Sequence, residues 1–313
     1  MGDYKLKNRR AVIKSSVYGG IGIIGLSNFS LLDIPDEDKI SLSILHTNDI
    51  HSHIDPFDEN HSRYPGQGGL SRVASLVKRI RTEKEHTLLF DAGDIFQGTP
   101  YFNFFEGEIE FKMMSEIGYD AATMGNHDFD NAIEGFDAML KHANFPFLCS
   151  NYDFSNTILD GKTAKYKVFQ KGELKIGVFG LGIELEGLVS RAMFKETMYL
   201  DPIFQANKYA HILKNELDCD LVVCLSHLGF SYKGNKLSDK VLASQTANID
   251  LILGGHTHTF MDEPYQQKNI NNEPVFIHQV GWAGLKLGRL NFSFEKVKKS
   301  KKARKKLYHS QNQ

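Results

Sequence analysis

Five short polar clusters, each set directly behind an apolar run, constrain this chain more than any other feature. They are Asn48-Asp49-Ile50-His51, Gly93-Asp94, Gly125-Asn126-His127-Asp128, Ser226-His227 and Gly254-Gly255-His256-Thr257-His258. The runs Ser41–Thr47, His86–Asp91, Ala121–Met124, Leu221–Ser226 and Ile249–Leu253 are the lengths of buried strands. In α/β folds the residues just past the C-terminal strand ends converge on one crevice. Five segments far apart in sequence can therefore deliver side chains to one place.

Helical spacing fills the gaps between these strands. Gly69–Thr82 places Leu70, Val73, Leu76, Val77 and Ile80 on one face, and Phe104–Ile117 reads as a helix stopped by Gly118. Asn131–Ala143, Ala206–Leu217 and Ser238–Thr246 are further helices. Phe145–Ser150 is expected as a strand, and Tyr166–Gln170 with Leu174–Leu181 as a hairpin. Val275–Gln279 and Leu287–Phe294 close the unit as strands. The pattern predicts one α/β domain over residues 40–295, with stacked mixed sheets and helices outside.

The cluster side chains suit one chemistry. Imidazole nitrogen, carboxylate and amide oxygen together bind borderline divalent ions such as Mn, Fe, Co or Zn. The candidate ligands are Asp49, His51, Asp94, Asn126, His227, His256 and His258. No thiolate is among them, which argues against a structural zinc knot. Two adjacent glycines before His256 allow the backbone to crowd a site. An isolated Asp-x-His or Gly-Asp carries little; five clusters in this order carry much more. His53, His61, His86, His142, His211 and His278 fall in loops, on helix surfaces or in a strand and are left out of the set, His53 lying nearest to it.

The motif order resembles the calcineurin-like metallophosphoesterases, and more narrowly the catalytic domain of the 5′-nucleotidase and 2′,3′-cyclic phosphodiesterase family. The carriers are Leu45 to His51, Asp91 to Gly98, Met124 to Asp130, Gly255 to His258, and Gln279-Val280-Gly281 through Leu290. The match covers residues 41–294. It implies a four-layer sandwich of two mixed sheets flanked by helices. It implies two divalent ions, one held by Asp49, His51, Asp94 and His258, the other by Asp94, Asn126, His227 and His256. A hydroxide between the ions would attack phosphorus in line with the leaving oxygen. His127 would stabilise or protonate the leaving group with Asp130 orienting it, although Asp130 or Asn131 also suits a helix N-cap.

The resemblance implies hydrolysis of phosphate esters, nucleotides foremost. Cyclic phosphodiester, sugar-nucleotide and sulfur-ester hydrolysis are alternatives on the same scaffold. A non-catalytic metal-binding subunit is the alternative of another class. Full-length members carry a second domain that holds the base, whereas this chain reaches a basic tail at Lys296. Two expectations follow: a separate polypeptide supplies that domain, or the single domain is a broad phosphoesterase. In the second case the loops Asp55–Gly68 and Glu184–Asp201, with Tyr64, Phe96, Tyr101, Phe104, Phe105 and Phe194, would shape its pocket.

Charge is uneven along the chain. The formal total is −1, but Lys296 to Lys306 holds eight Lys/Arg and no acid, so the remainder carries −9. An acidic body argues against nucleic-acid binding. The tail 296–313 is expected to be a solvated, disordered end. Residues 1–32 pair a basic start with Ser15–Leu32, which is free of charge, and Asn8-Arg9-Arg10-Ala11-Val12-Ile13-Lys14 resembles a twin-arginine signal. Export to the periplasm is the expectation, with an uncleaved membrane anchor as the alternative. Cys149, Cys219 and Cys224 form no disulfide framework.

Overall fold

The computed structural model describes residues 11–19, 39–234 and 236–295. Its strands and helices run β1 (Ala11–Gly19), β2 (Lys39–Thr47), α1 (Leu70–Glu83), β3 (Thr87–Asp91), α2 (Pro100–Phe105), α3 (Glu108–Ile117), β4 (Ala121–Ala122) and α4 (Ala132–Leu140). There follow β5 (Tyr152–Asp153), β6 (Tyr166–Lys171), β7 (Leu174–Leu181), α5 (Arg191–Phe194), β8 (Met198–Tyr199), α6 (Pro202–His211) and β9 (Leu221–Ser226). The chain continues through α7 (Asp239–Gln245), β10 (Leu251–Gly254), β11 (Tyr265–Lys268), β12 (Pro274–His278) and β13 (Lys286–Glu295).

Two sheets carry the fold. The first has the order β1-β13-β2-β3-β4 and the second β11-β12-β10-β9-β7-β6. Both are mixed: β2, β3 and β4 run parallel beside antiparallel β13, and β7, β9, β10 and β12 run parallel between antiparallel β6 and β11. Period-two alternation sorts their side chains into layers. Leu88 and Phe90 join Val178, Val223 and Leu253 between the sheets. Leu89 faces α1, α3 and α4 through Val77, Met114 and Phe136. Val222 and Ile252 face α6 and α7 through Tyr209 and Leu242. The result is a four-layer helix–sheet–sheet–helix sandwich. Each buried Leu- or Phe-sized chain contributes about 1.5–3 kcal/mol.

The structure departs from the sequence reading in several places. The single helix expected over Phe104–Ile117 is two. Thr99 caps α2 by accepting from the Tyr101 amide, and Glu106 (φ 55°) and Gly107 (φ 104°) take left-handed backbone that ends it before α3 begins. The expected strand Phe145–Ser150 is not one. Phe147 bridges Ala122 while Leu148 bridges Ala164, so the segment changes partner within one residue. Helix α6 starts earlier than expected, because Asp201 caps it and Pro202 occupies its first turn, and it ends in a π-helical turn over Ile212–Glu216. The short pair β5–β8, helix α5 and the polar edge strand β11 have no expected counterpart.

Part of the segment read as an export signal, Ala11–Gly19, pairs antiparallel with β13 at the edge of the first sheet. The rest of 1–32 and the whole tail 296–313 lie outside the described residues. Among the described residues no helix is long and apolar enough to cross a membrane.

Candidate metal centre

The turns after β2, β3, β4, β9 and β10 meet at one end of the sandwich. Beyond the first sheet their backbones interlock. The Asp49 amide donates to the Gly93 carbonyl at 2.9 Å, that of His51 to Asp94 at 3.0 Å and that of Ser52 to Ile95 at 2.8 Å. These bonds hold tight bends after β2 and β3, and the turn after β10 bends likewise. Asp49, His51, Asp94, His256 and His258 all have φ between 49° and 70°. Left-handed backbone costs a residue with a Cβ roughly 1–2 kcal/mol, least for short polar side chains. Five of the seven expected ligands carry that strain, which the flanking strands hold in place.

Two groups of side chains stand side by side there. Asp49, His51 and His258 form one, and Asp94, His227 and His256 the other, each with its potential ligand atoms within 4.8 Å of one another. In the first, His258 Nε2 lies 3.3 Å and His51 Nε2 3.9 Å from Asp49 Oδ1, and the two nitrogens are 3.1 Å apart. In the second, His227 Nε2 lies 3.0 Å from Asp94 Oδ2. Asn126 joins it through Oδ1, 2.9 Å from His256 Nδ1. Asp94 Oδ2 is also 3.8 Å from His51 Nε2, so one carboxylate faces both groups. His127 stands beside them, its ring 5.2 Å from that of His51, with Nδ1 2.7 Å from Asp130 Oδ2. That contact raises the His127 pKa.

The second group tests whether these residues fit a metal ion. His227 Nδ1 lies 2.7 Å from the Ala92 carbonyl, so Nδ1 carries the hydrogen and donates it. Nε2 is left buried without a hydrogen-bond partner, facing a carboxylate. A lone pair aimed at an anion in a dry site needs a positive charge between them. In the protein alone a proton takes that place: burial lowers the His227 pKa, but Asp94 and then Asp49 outweigh it and raise it to about 10. Burial likewise works to raise the Asp94 pKa, and the charges of His227, His51 and His127 pull it below the ordinary carboxylate range. A borderline divalent cation on imidazole, carboxylate and amide oxygen satisfies the same geometry.

Two glycines permit this crowding. A Cβ on Gly125 would lie 2.2 Å from Asp94 Oδ1, and one on Gly255 would lie 2.8 Å from His227 Nδ1. The expectation of close backbone approach at Gly255 is therefore met.

Several supporting residues were given no role from the sequence, although Asn48, Asp128 and Gln279 stand within its motifs. Asp128 is buried and accepts four amide hydrogens, from Asp94 (3.0 Å), Ile95 (2.9 Å), Phe96 (3.2 Å) and Gly125 (2.8 Å). It ties the turn after β3 to the turn after β4. Asn48 donates to Asp49 Oδ2 and to the Gly281 carbonyl, and accepts from the Val280 amide. Gln279 donates to the Gly255 carbonyl and accepts from the Thr259 amide. Trp282 stacks on His258 at 5.6 Å with the rings 6° from parallel. A side chain that bonds backbone 20 or more positions away leaves no periodic trace; position directly behind a strand is the usable signal for Asn48 and Gln279.

The profile of the calcineurin-like phosphoesterases matches residues 42–260, which takes in every expected ligand. This chain belongs to that family. A snake venom 5′-nucleotidase of Gloydius brevicauda is 33% identical over 278 residues, 82% of this phosphoesterase and 46% of the venom protein. The 5′-nucleotidase precursor of Thermus thermophilus superposes with a TM-score of 0.73 at 30% identity, over 80% of this chain and 51% of that one. The NAD nucleotidase of Haemophilus influenzae superposes with a TM-score of 0.71 at 28% identity, over 82% and 48%. The phosphoesterase thus spans about half the length of such relatives. Calcineurin-like phosphoesterases bind a dinuclear divalent metal site.

The histidines left out of the ligand set stay apart from both groups. His53 Nδ1 lies 2.8 Å from the His51 carbonyl and packs against Phe57 and Trp282. His278 is buried against His46, Nδ1 to Nε2 at 2.7 Å. Of the aromatic residues expected at a pocket, Tyr101, Phe104 and Phe105 line a cavity of about 370 Å³, whereas Phe96 and Phe194 are core. Tyr64 stacks on His61 instead.

Proposed function

We propose that this chain hydrolyses phosphate esters, nucleotides among them, at a two-metal centre. Asp49, His51 and His258 would hold one ion and Asn126, His227 and His256 the other, with Asp94 facing both. The single observation that carries the reading is the buried, partnerless His227 Nε2 facing Asp94 beside a second His/Asp group. Bound there, two divalent ions supply Lewis-acid neutralisation of phosphoryl charge and lower the pKa of water. The chain's own residues do the rest. Asp94 and Asp49 set the negative field that holds cations, and the interlocked turns fix the ligands before substrate arrives. His127, oriented by Asp130, donates a proton to the leaving oxygen. The 5′-nucleotidase relatives support nucleotides as the substrate class.

The test is a panel with purified protein: a nucleoside 5′-monophosphate, a cyclic nucleotide, a sugar nucleotide and an aryl phosphate, each with Mn, with Zn and with chelator. Metal-dependent release of phosphate from the monophosphate is expected. No turnover of any substrate with either metal would overturn the reading.

Export belongs to the same proposal, on the basic and then uncharged residues of 1–32 and on the venom origin of one relative. Cell fractionation tests it, and activity confined to the cytoplasm would refute it.

A further inference from the structure

Asp239 is a buried carboxyl that the chemistry above does not use. It is the first residue of α7, and its side chain is fully buried. The helix does not need it as a cap, because the Ser238 side chain accepts from the Val241 amide. The Asp239 amide donates to the Gly229 carbonyl at 2.8 Å, which pins the residue behind the turn after β9.

Two contacts set the carboxyl across the last rung between β9 and β10. Ser226 and Gly254 are partners in that ladder, and His227 and Gly255-His256 leave the sheet directly beyond them. Asp239 Oδ1 accepts from the Ser226 hydroxyl at 2.5 Å, and the Ser226 oxygen accepts from the Leu228 amide at 3.3 Å. These bonds flank His227 on both sides in the chain. Asp239 Oδ2 abuts the bare backbone of Gly254, where a Cβ would lie 2.3 Å away. That oxygen is buried without a hydrogen-bond partner among the described residues.

We infer that Asp239 is a positioning residue for the second group: it joins the strand ends that deliver His227 and His256, and its negative charge strengthens the hold on a cation there. The inference rests on the two-metal reading and reaches one layer behind the ligands.

A carboxylate in a dry place with one oxygen unpaired is costly unless a positive charge offsets it. Burial pushes the Asp239 carboxyl up to about 8, while the Ser226 hydroxyl and then the charge of His227 work against that rise. The offsetting charge therefore lies at the metal centre. Asp94 approaches His227 Nε2 to 3.0 Å and Asp49 to 4.0 Å, whereas Asp239 stands behind, on the strand side. A divalent ion on Nε2 brings more positive charge than a proton does. Ion and carboxylate then stabilise each other, and the gain is the same in both directions. Groups behind metal ligands carry about 10- to 100-fold in metal affinity.

The test separates charge from support. The full chain is stripped of metal and titrated with Mn, and free Mn is read by its electron paramagnetic resonance signal. Asp239→Asn keeps the side-chain size and an oxygen for Ser226 but removes the charge. It is measured alone and combined with His258→Ala, which leaves the second group, or with His227→Ala, which leaves the first. Mn binding at the second group should weaken about tenfold and binding at the first should hold. The activity lost at limiting Mn should return at saturating Mn, a change in metal requirement rather than in kcat. Unchanged Mn affinity at the second group overturns the inference while two ions still bind and the phosphoesterase reading stands. Equal weakening of both groups, or a kcat that stays low with both sites filled, overturns it as well. A wild type that binds no Mn overturns the inference and the two-metal reading together. Folding of Asp239→Asn only with Mn in excess supports the inference, and failure to fold with or without Mn overturns it.

Discussion

The two side-chain groups of the metal centre are chemically alike and physically different. Around Asp94 the site is dry: the side chains of His227 and Asp94 are 0% and 2% exposed, and their atoms approach to 3.0 Å. Around Asp49 it is open on one side: the His258 side chain is 39% exposed, rests on Trp282, and reaches Asp49 at 3.3 Å. Water can satisfy the lone pairs of the open group when no cation is there. Water does not reach His227 Nε2, so only a proton or a cation can stand between it and Asp94. A cation entering the dry group would therefore displace a proton, whereas one entering the open group would displace water.

That difference sets an order of expected effects. Asp94→Asn should be the most severe, because the shared carboxylate faces both groups. Activity should fall about a thousandfold, the scale of losing a central charge-stabilising group, and metal content should drop below one equivalent by elemental analysis. Two bound ions with full activity in this variant would remove Asp94 from the centre. The next pair separates the groups directly. His227→Ala should lose the ion of the dry group, whereas His258→Ala should keep it and lose about a hundredfold in activity. Equal metal loss in the two variants would erase the asymmetry.

His127→Ala should cost about a hundredfold in kcat, on the scale of general-acid catalysis, and leave both ions bound. Loss of metal in that variant would make His127 a ligand rather than a proton donor. Gly125→Ala strikes the dry group first, since its Cβ would meet Asp94 Oδ1 and the His227 ring. A destabilisation of about 1–3 kcal/mol by denaturant unfolding is expected. A variant as stable as the wild type would show that the Asp94 turn yields more readily than its packing implies.

Strand bodies and the turns beyond them were not equally legible in the sequence. Leu221–Ser226 and Leu174–Leu181 read correctly because each is a short, nearly unbroken apolar run that the fold buries on both faces. All seven expected ligands lie in the two groups or touch them, since a polar cluster behind an apolar run has few other reasons to exist. What was missed depends on distant partners. Phe145–Ser150 has strand composition, but β4 offers it only two residues, and the Leu148 carbonyl is engaged by Thr123 Oγ1 instead. The break between α2 and α3 lies in the left-handed backbone of Glu106 and Gly107, where the Phe96 ring leaves no room for a side chain at position 107. The polar strand β11 exists because β12 presents an edge for it to pair with.

Asp128 has one more consequence. Its two oxygens grip amides in both the Asp94 and the Gly125 turns, so neither turn can open alone without breaking bonds that hold the other. The backbone hydrogens of Asp94, Ile95, Phe96 and Gly125 should then exchange with deuterium as one set, at one rate, governed by a single rare opening of the whole brace. In Asp128→Asn the four should exchange sooner and at separate rates, as two turns that no longer share a clock.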